Sequence, residues 1–139
     1  MNTMTQEIRD VLTSGRVAHL TTINSDGSPQ VSVVWIGLVE DEIAIGHLMG
    51  GRKVQNVLRD SRVALTVEAD GANPIGMANY LIVYGTARVV EGGAPELLQR
   101  LAEVYVGPGV RFPPIDNPPA GHVIVINPDR FAGSGPFLE

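Results

Sequence analysis

Two runs rich in β-branched residues flank Asn24-Ser25-Asp26-Gly27-Ser28 in the segment "RVAHLTTINSDGSPQVSVVWIGL". A short polar break containing glycine between two such runs is a hairpin signal. A third run, "EIAIGHL", follows the acidic turn Glu40-Asp41-Glu42, so a meander of three strands is expected before residue 50. Strands joined this closely pair antiparallel. They exclude the alternating strand–helix pattern of a parallel sheet.

The rest of the chain extends this pattern. "RVALTVEA" and "ANYLIVYGTARVV" read as strands, the second interrupted by Gly85, which marks a bulge or a close backbone approach. The last strand is "HVIVINP", followed by a tail "DRFAGSGPFLE". Three helices are expected. Met4, Ile8, Val11 and Leu12 form one apolar stripe within residues 1–15, with Thr3 and Gln6 as a capping box and Gly15 as a stop. Val54, Val57 and Leu58 place a short helix from about Arg52 to Arg59. "APELLQRLAEVYV", with Pro95 in its first turn, is a third. A Pro/Gly-rich loop spans residues 107–120, long enough to be functional or mobile. The expected architecture is mainly β: one small antiparallel β-barrel domain over residues 1–139, with peripheral helices.

Composition narrows the function. A formal net charge of −5 disfavours a broad nucleic-acid surface, although one basic pocket remains compatible with it. The absence of cysteine excludes disulfides, thiol nucleophiles and thiolate metal sites. No apolar run is long enough to span a membrane, and the first ten residues do not resemble a secretory signal, so a cytoplasmic protein is expected. The acidic cluster Glu40, Asp41 and Glu42 reads as a solvated turn and not as a metal site.

Against this acidic background stands "GGRKVQNVLRD", residues 50–60. Arg52 and Lys53 fall in the first turn of the expected helix, where the dipole disfavours cations by about 0.3–1 kcal/mol. Two readings are open. The pair is solvated charge at a helix start, or it holds a phosphate, aided by free backbone N–H groups and by the close approach that Gly50 and Gly51 permit. The stretch matches neither a Walker A loop nor a dinucleotide fingerprint.

The order of motifs resembles the pyridoxamine phosphate oxidase-like split-β-barrel family. The resemblance rests on a strand ending in Thr, the turn Asp26-Gly27-Ser28-Pro29, a strand carrying Trp35, the Arg52-Lys53 pair followed by Asn56 and "RDSRVAL", then "YGTARVV" and "VIVINPDRFAG". It spans about residues 8–133 and is closest to the actinobacterial branch that uses the deazaflavin coenzyme F-420 in place of FMN. The resemblance implies a homodimer with two coenzyme sites at the subunit interface. It implies that Arg52 and Lys53 bind the coenzyme phosphate, with Gly51 beside them. It places Gln30, Val31, Ser32, Val33 and Trp35 along the ring, and Gly46, His47 and Leu48 at the border of the same site. Asn56 is a further candidate contact, though a loop cap is the favoured reading. Tyr80, on the strand running to Tyr84, would come from the partner.

Three features depart from the family pattern: Gly50-Gly51 in place of a hydroxyl residue, a longer Pro-rich loop, and "GSGPFLE" in place of an Arg-containing tail. Vitamin B6 oxidation is therefore not expected. A coenzyme of this kind carries its own hydride chemistry, so no catalytic side chain is compulsory. None of His19, His47 or His122 sits in a catalytic or metal spacing; His19 reads as structural and His122 as packing or surface. Arg59 and Arg62 flank Asp60 as exposed pairs. Together with Arg88 and Arg111 they are the further cations available to the glutamate tail of F-420, and Arg111 is the first to test. The expected function is F-420-dependent hydride transfer to a small unsaturated or quinone-like substrate. The alternatives are an FMN-binding protein of weak or no activity, and a non-catalytic carrier or sensor.

Overall fold

The structure, a computed structural model, describes residues 3–137. Seven strands form one antiparallel sheet: β1 (Ala18–Ile23), β2 (Pro29–Val34), β3 (Gly37–Val39), β4 (Glu42–His47), β5 (Arg62–Ala72), β6 (Ala78–Glu91) and β7 (His122–Gly133). Their order in the sheet is β2-β1-β5-β6-β7-β4-β3. Helices α1 (Gln6–Leu12), α2 (Arg52–Arg59) and α3 (Ala94–Tyr105) pack against it.

The expected three-strand meander is corrected here. Four strands precede α2, and they form two separate hairpins, β1–β2 and β3–β4, on opposite edges of the sheet. That placement closes the barrel. Laid flat, seven strands span roughly 29 Å from edge to edge at ~4.8 Å per strand. Val34 and Gly37, which belong to the two edges, are joined by three peptide units that reach at most ~11 Å. The sheet must curl until its edges meet at Trp35 and Ile36.

Tyr105 of α3 holds that seam. Its hydroxyl accepts a hydrogen bond from Ile36 N at 3.0 Å and lies 2.8 Å from the Arg16 carbonyl, to which it donates. Burial raises the Tyr105 pKa, which keeps the phenol neutral for this role. The helix approaches closely because β3 and β4 present glycines to it. A Cβ on Gly37 would lie 2.7 Å from Leu101 Cδ2, and one on Gly46 2.9 Å from Leu98 Cγ.

The barrel interior is aliphatic. Ile43, Ile45, Leu65, Val67, Leu81, Val83, Ile124 and Ile126 are buried, with Ile8 and Leu12 of α1 and Val54 and Val57 of α2 joining the same core. α1 lies by the β3–β4 turn, where Arg9 donates to the Glu40 carbonyl and pairs with Asp41. Its cap is Thr5, whose side chain accepts from Ile8 N, and not the expected Thr3. Gly15, at φ 82°, lies beyond a helix that already ends at Leu12.

β7 also runs further than expected, through Pro128 to Gly133. Proline cannot donate to a ladder, but a register shift between Tyr84 and Gly85 leaves Asp129 unpaired and absorbs it. Gly85 serves the close approach its position suggested: a Cβ there would meet the Asn127 carbonyl oxygen at 2.6 Å.

Candidate functional site

α2 begins where β4 ends, at the opposite end of that strand from α1. Its N-cap, Gly51, makes no side-chain cap, and its first turn holds no acidic residue. The free N–H groups of that turn are left with Arg52 and Lys53 beside them. A helix so poorly capped is held by its other contacts. Val54 and Val57 are buried in the barrel core. The Asn56 amide, 2% exposed, donates to Thr22 Oγ1 and Asn24 Oδ1, each at 3.0 Å, and to Gln30 Oε1 at 3.3 Å. Arg59 donates to the Ile23 carbonyl and to Asn56 Oδ1, and as a cation in the last turn it also suits the helix dipole.

Lys53 is partly buried, and burial lowers its pKa. Among the described residues it makes no hydrogen bond or ion pair. Arg52 is exposed and likewise makes none; its charge contributes only weakly to holding the Asp26 carboxyl below its usual range, an effect led by hydrogen bonds from Ser28. Gly51 lies against the His47 ring: a Cβ there would stand 2.8 Å from His47 Nε2, so a side chain at this position would displace the imidazole. His47 stands directly across from His122 in the β4–β7 pairing. Burial, then the charges of Lys53 and His122, push the His47 pKa down. The buried Nδ1 of His122 has no hydrogen-bond partner among the described residues.

β2 is an edge strand, paired among the described residues with β1 alone, which leaves its outer backbone groups to a further partner. Gln30 and Ser32 face inward with Val34, while Val31 and Val33 face outward, 61% and 62% exposed. Asn56 links Gln30 to α2 and serves as a buried tie, a role richer than the expected loop cap. The structure therefore brings together Gln30, Asn56, Arg52, Lys53, Gly51 and His47 around the start and inner face of α2.

Other candidates lie apart from this cluster or are already engaged. Trp35 stacks on Tyr105 at 5.2 Å between ring centroids and meets Phe112 at 5.1 Å. Gly46 faces Leu98 of α3. Leu48 continues from β4 and is partly buried. Tyr80 is on the outer face of β6, 40% exposed.

The additional cations are paired within the chain. Arg62 binds Asp60, whose carboxyl it holds down at about 2. Arg88 binds Glu42 through both nitrogens, and Arg111 binds Asp116 in its own loop. Arg59, expected as an exposed pair, is instead part of α2 docking. His19 faces outward between Val33 and Thr66. His122 and Tyr105 were not identified as site or seam residues from the sequence. Their partners lie 75 and 69 positions away, and only strand pairing and helix docking bring them together.

A family profile described as pyridoxamine 5′-phosphate oxidase matches residues 4–134. No curated protein matches the chain. Among solved structures, the chain is similar to an F-420 reductase, with 25% identity, a TM-score of 0.72, and coverage of 89% of this chain and 94% of the other. It is similar to the conserved hypothetical protein Rv2991 of Mycobacterium tuberculosis, with 26% identity, a TM-score of 0.73, and coverage of 96% and 85%. HupZ of Group A Streptococcus shares the fold at 16% identity and a TM-score of 0.67, covering 99% and 98% of the two chains.

Proposed function

The chain belongs to the pyridoxamine 5′-phosphate oxidase family, and from that premise we propose that it is an oxidoreductase that binds coenzyme F-420, with hydride transfer to a small unsaturated or quinone-like substrate as its reaction. One observation carries the reading. Lys53 is partly buried beside an uncapped helix start, without an acidic partner among the described residues. Desolvating a cation at the positive end of a helix is unfavourable in the chain alone, and an anionic group reverses the sign.

The residues present fit a phosphate-bearing coenzyme. Gly50 leaves the backbone open, with nothing within 4 Å of where its Cβ would stand. The first-turn N–H groups of α2 and the Arg52 and Lys53 side chains supply donors. The free edge of β2 offers backbone groups to the ring. When bound, such a coenzyme supplies the hydride chemistry itself. The chain's part is to hold the phosphate with Arg52 and Lys53, to set α2 against β2 through Asn56 and Gln30, and to exclude water along β2.

The similarity to an F-420 reductase favours F-420 over FMN. A homodimer completes the reading. Two open hollows of the single chain contain none of the ring or phosphate candidates: one between α1 and β7 is lined by Arg9, Asp41 and Phe131, and one under the Pro-rich loop by Gln99, Phe112 and Arg111, a candidate for the coenzyme tail alone. A ring lying along the exposed edge of β2 would be covered by a second copy.

The test is binding. The purified protein is titrated with F-420 and with FMN by fluorescence, alongside the double variant Arg52→Ala/Lys53→Ala, whose fold is checked by circular dichroism. The expected result is saturation by F-420 and loss of binding in the folded double variant, each cation contributing about 1.5–3 kcal/mol. Unchanged affinity in that variant would refute the site, and saturation by FMN alone would refute the coenzyme.

A further inference from the structure

His47 and His122 are opposed across β4 and β7, on the same side as the inward-facing Ile45 and Ile124, at the end of the barrel where α2 starts. The His47 ring packs against Gly51, with Nε2 2.8 Å from the position a Cβ would take. His122 Nδ1 is buried and has no hydrogen-bond partner among the described residues. Lys53 adds a third basic group. Of the acidic side chains on neighbouring elements, Glu91 stands across from His122 on β6 but is exposed, and Glu96 lies exposed on α3. Glu42, at the far end of β4, is bound to Arg88. None of the three forms an ion pair with either histidine. Among the described residues these basic groups have no ion-pair partner, and Asp26 feels the Arg52 charge only weakly.

We propose that His47, set against His122, is the proton-linked half of an anion seat: an anion at the start of α2 binds together with one proton, taken up by the His47 imidazole. The proposal rests on the reading that Arg52 and Lys53 hold an anionic group. The ligand class it names is a phosphate or sulfate ester whose own charge is constant near neutral pH, such as a phosphodiester. For that class the protein supplies the proton.

The sign follows from the positions of the groups. Without an anion, burial and the neighbouring cations hold His47 uncharged at neutral pH. A bound anion favours the charged imidazole, so its pKa rises on binding. Below the lowered pKa both states are already protonated, and above the raised one neither is. Between them, affinity falls as pH rises, by at most about tenfold per unit for one proton.

Sulfate is the probe, because its charge does not change between pH 5.5 and 8. Wild-type protein, His47→Gln, His122→Gln and Arg52→Ala/Lys53→Ala are titrated calorimetrically in buffers of different ionisation enthalpy, and proton uptake is read from the buffer dependence. The expected result is uptake of a fraction of a proton to one proton by wild type, an affinity about tenfold weaker at pH 8 than at pH 6, and a flat profile in His47→Gln. Arg52/Lys53-dependent binding with no proton uptake and a flat wild-type profile would overturn the proposal while leaving the phosphate reading standing. Binding that ignores Arg52 and Lys53, or no sulfate binding at all, would overturn both. The wild-type measurement decides the matter even if a histidine variant does not fold.

Discussion

Lys53 shows how a single side chain can favour a ligand over the fold. It is partly desolvated at a helix start where a cation is disfavoured by about 0.3–1 kcal/mol. Lys53→Met keeps the aliphatic stem and removes the charge. We expect the variant to melt a few degrees above wild type, in line with a gain of about 0.3–1 kcal/mol, and to lose F-420 binding. A lower melting temperature would mean that the ammonium group has a structural partner in the protein. The Arg52-Lys53 pair was legible in the sequence because its position conflicts with helix electrostatics. Asn56 was legible only as a polar residue one turn later. Its place in a buried network with Thr22, Asn24 and Gln30 depends on where α2 docks.

At the scale of elements, the decisive piece is the junction between β2 and β3. The sequence "VVWIGL" reads as one continuous strand end, yet the chain leaves one sheet edge at Val34 and joins the other at Gly37. Tyr105 ties that junction to α3, and Trp35 stacks on the same ring. Tyr105→Phe keeps the stacking and removes the hydroxyl, leaving Ile36 N and the Arg16 carbonyl without that partner. The expected cost is about 1–3 kcal/mol in denaturant unfolding, with Trp35, the chain's one tryptophan, more accessible to acrylamide. An unfolding midpoint equal to wild type would show that α3 packing alone holds the seam. The Pro-rich loop is tied to α3 in the same region, since Gln99 donates to the Val110 carbonyl and accepts from Phe112 N, each at 2.7 Å. Nothing in the loop's own composition pointed to that tie.

For the whole molecule, the outer face of the sheet carries two rows across four strands: Val33, His19, Thr66 and Ile82, and Val31, Thr21, Ala64 and Tyr84. The exposed valines on this curved face suit a second copy of the chain better than water. Val33→Glu is expected to turn a dimer into a monomer in light scattering with the circular dichroism spectrum retained, and to weaken F-420 binding with it. A monomeric wild type, or a dimer indifferent to this change, would place the interface elsewhere. The sequence by itself determined the strand content, the antiparallel pairing class, the three helices and the misplaced cation pair, because periodicity, turn chemistry and the helix dipole act within a few residues. Only the tertiary structure decided that the two early hairpins lie on opposite edges, that the barrel closes at Trp35 and Ile36, and that His47 meets His122. Those outcomes depend on which strands pair, a choice made by burying one common apolar interior and carried by no local segment.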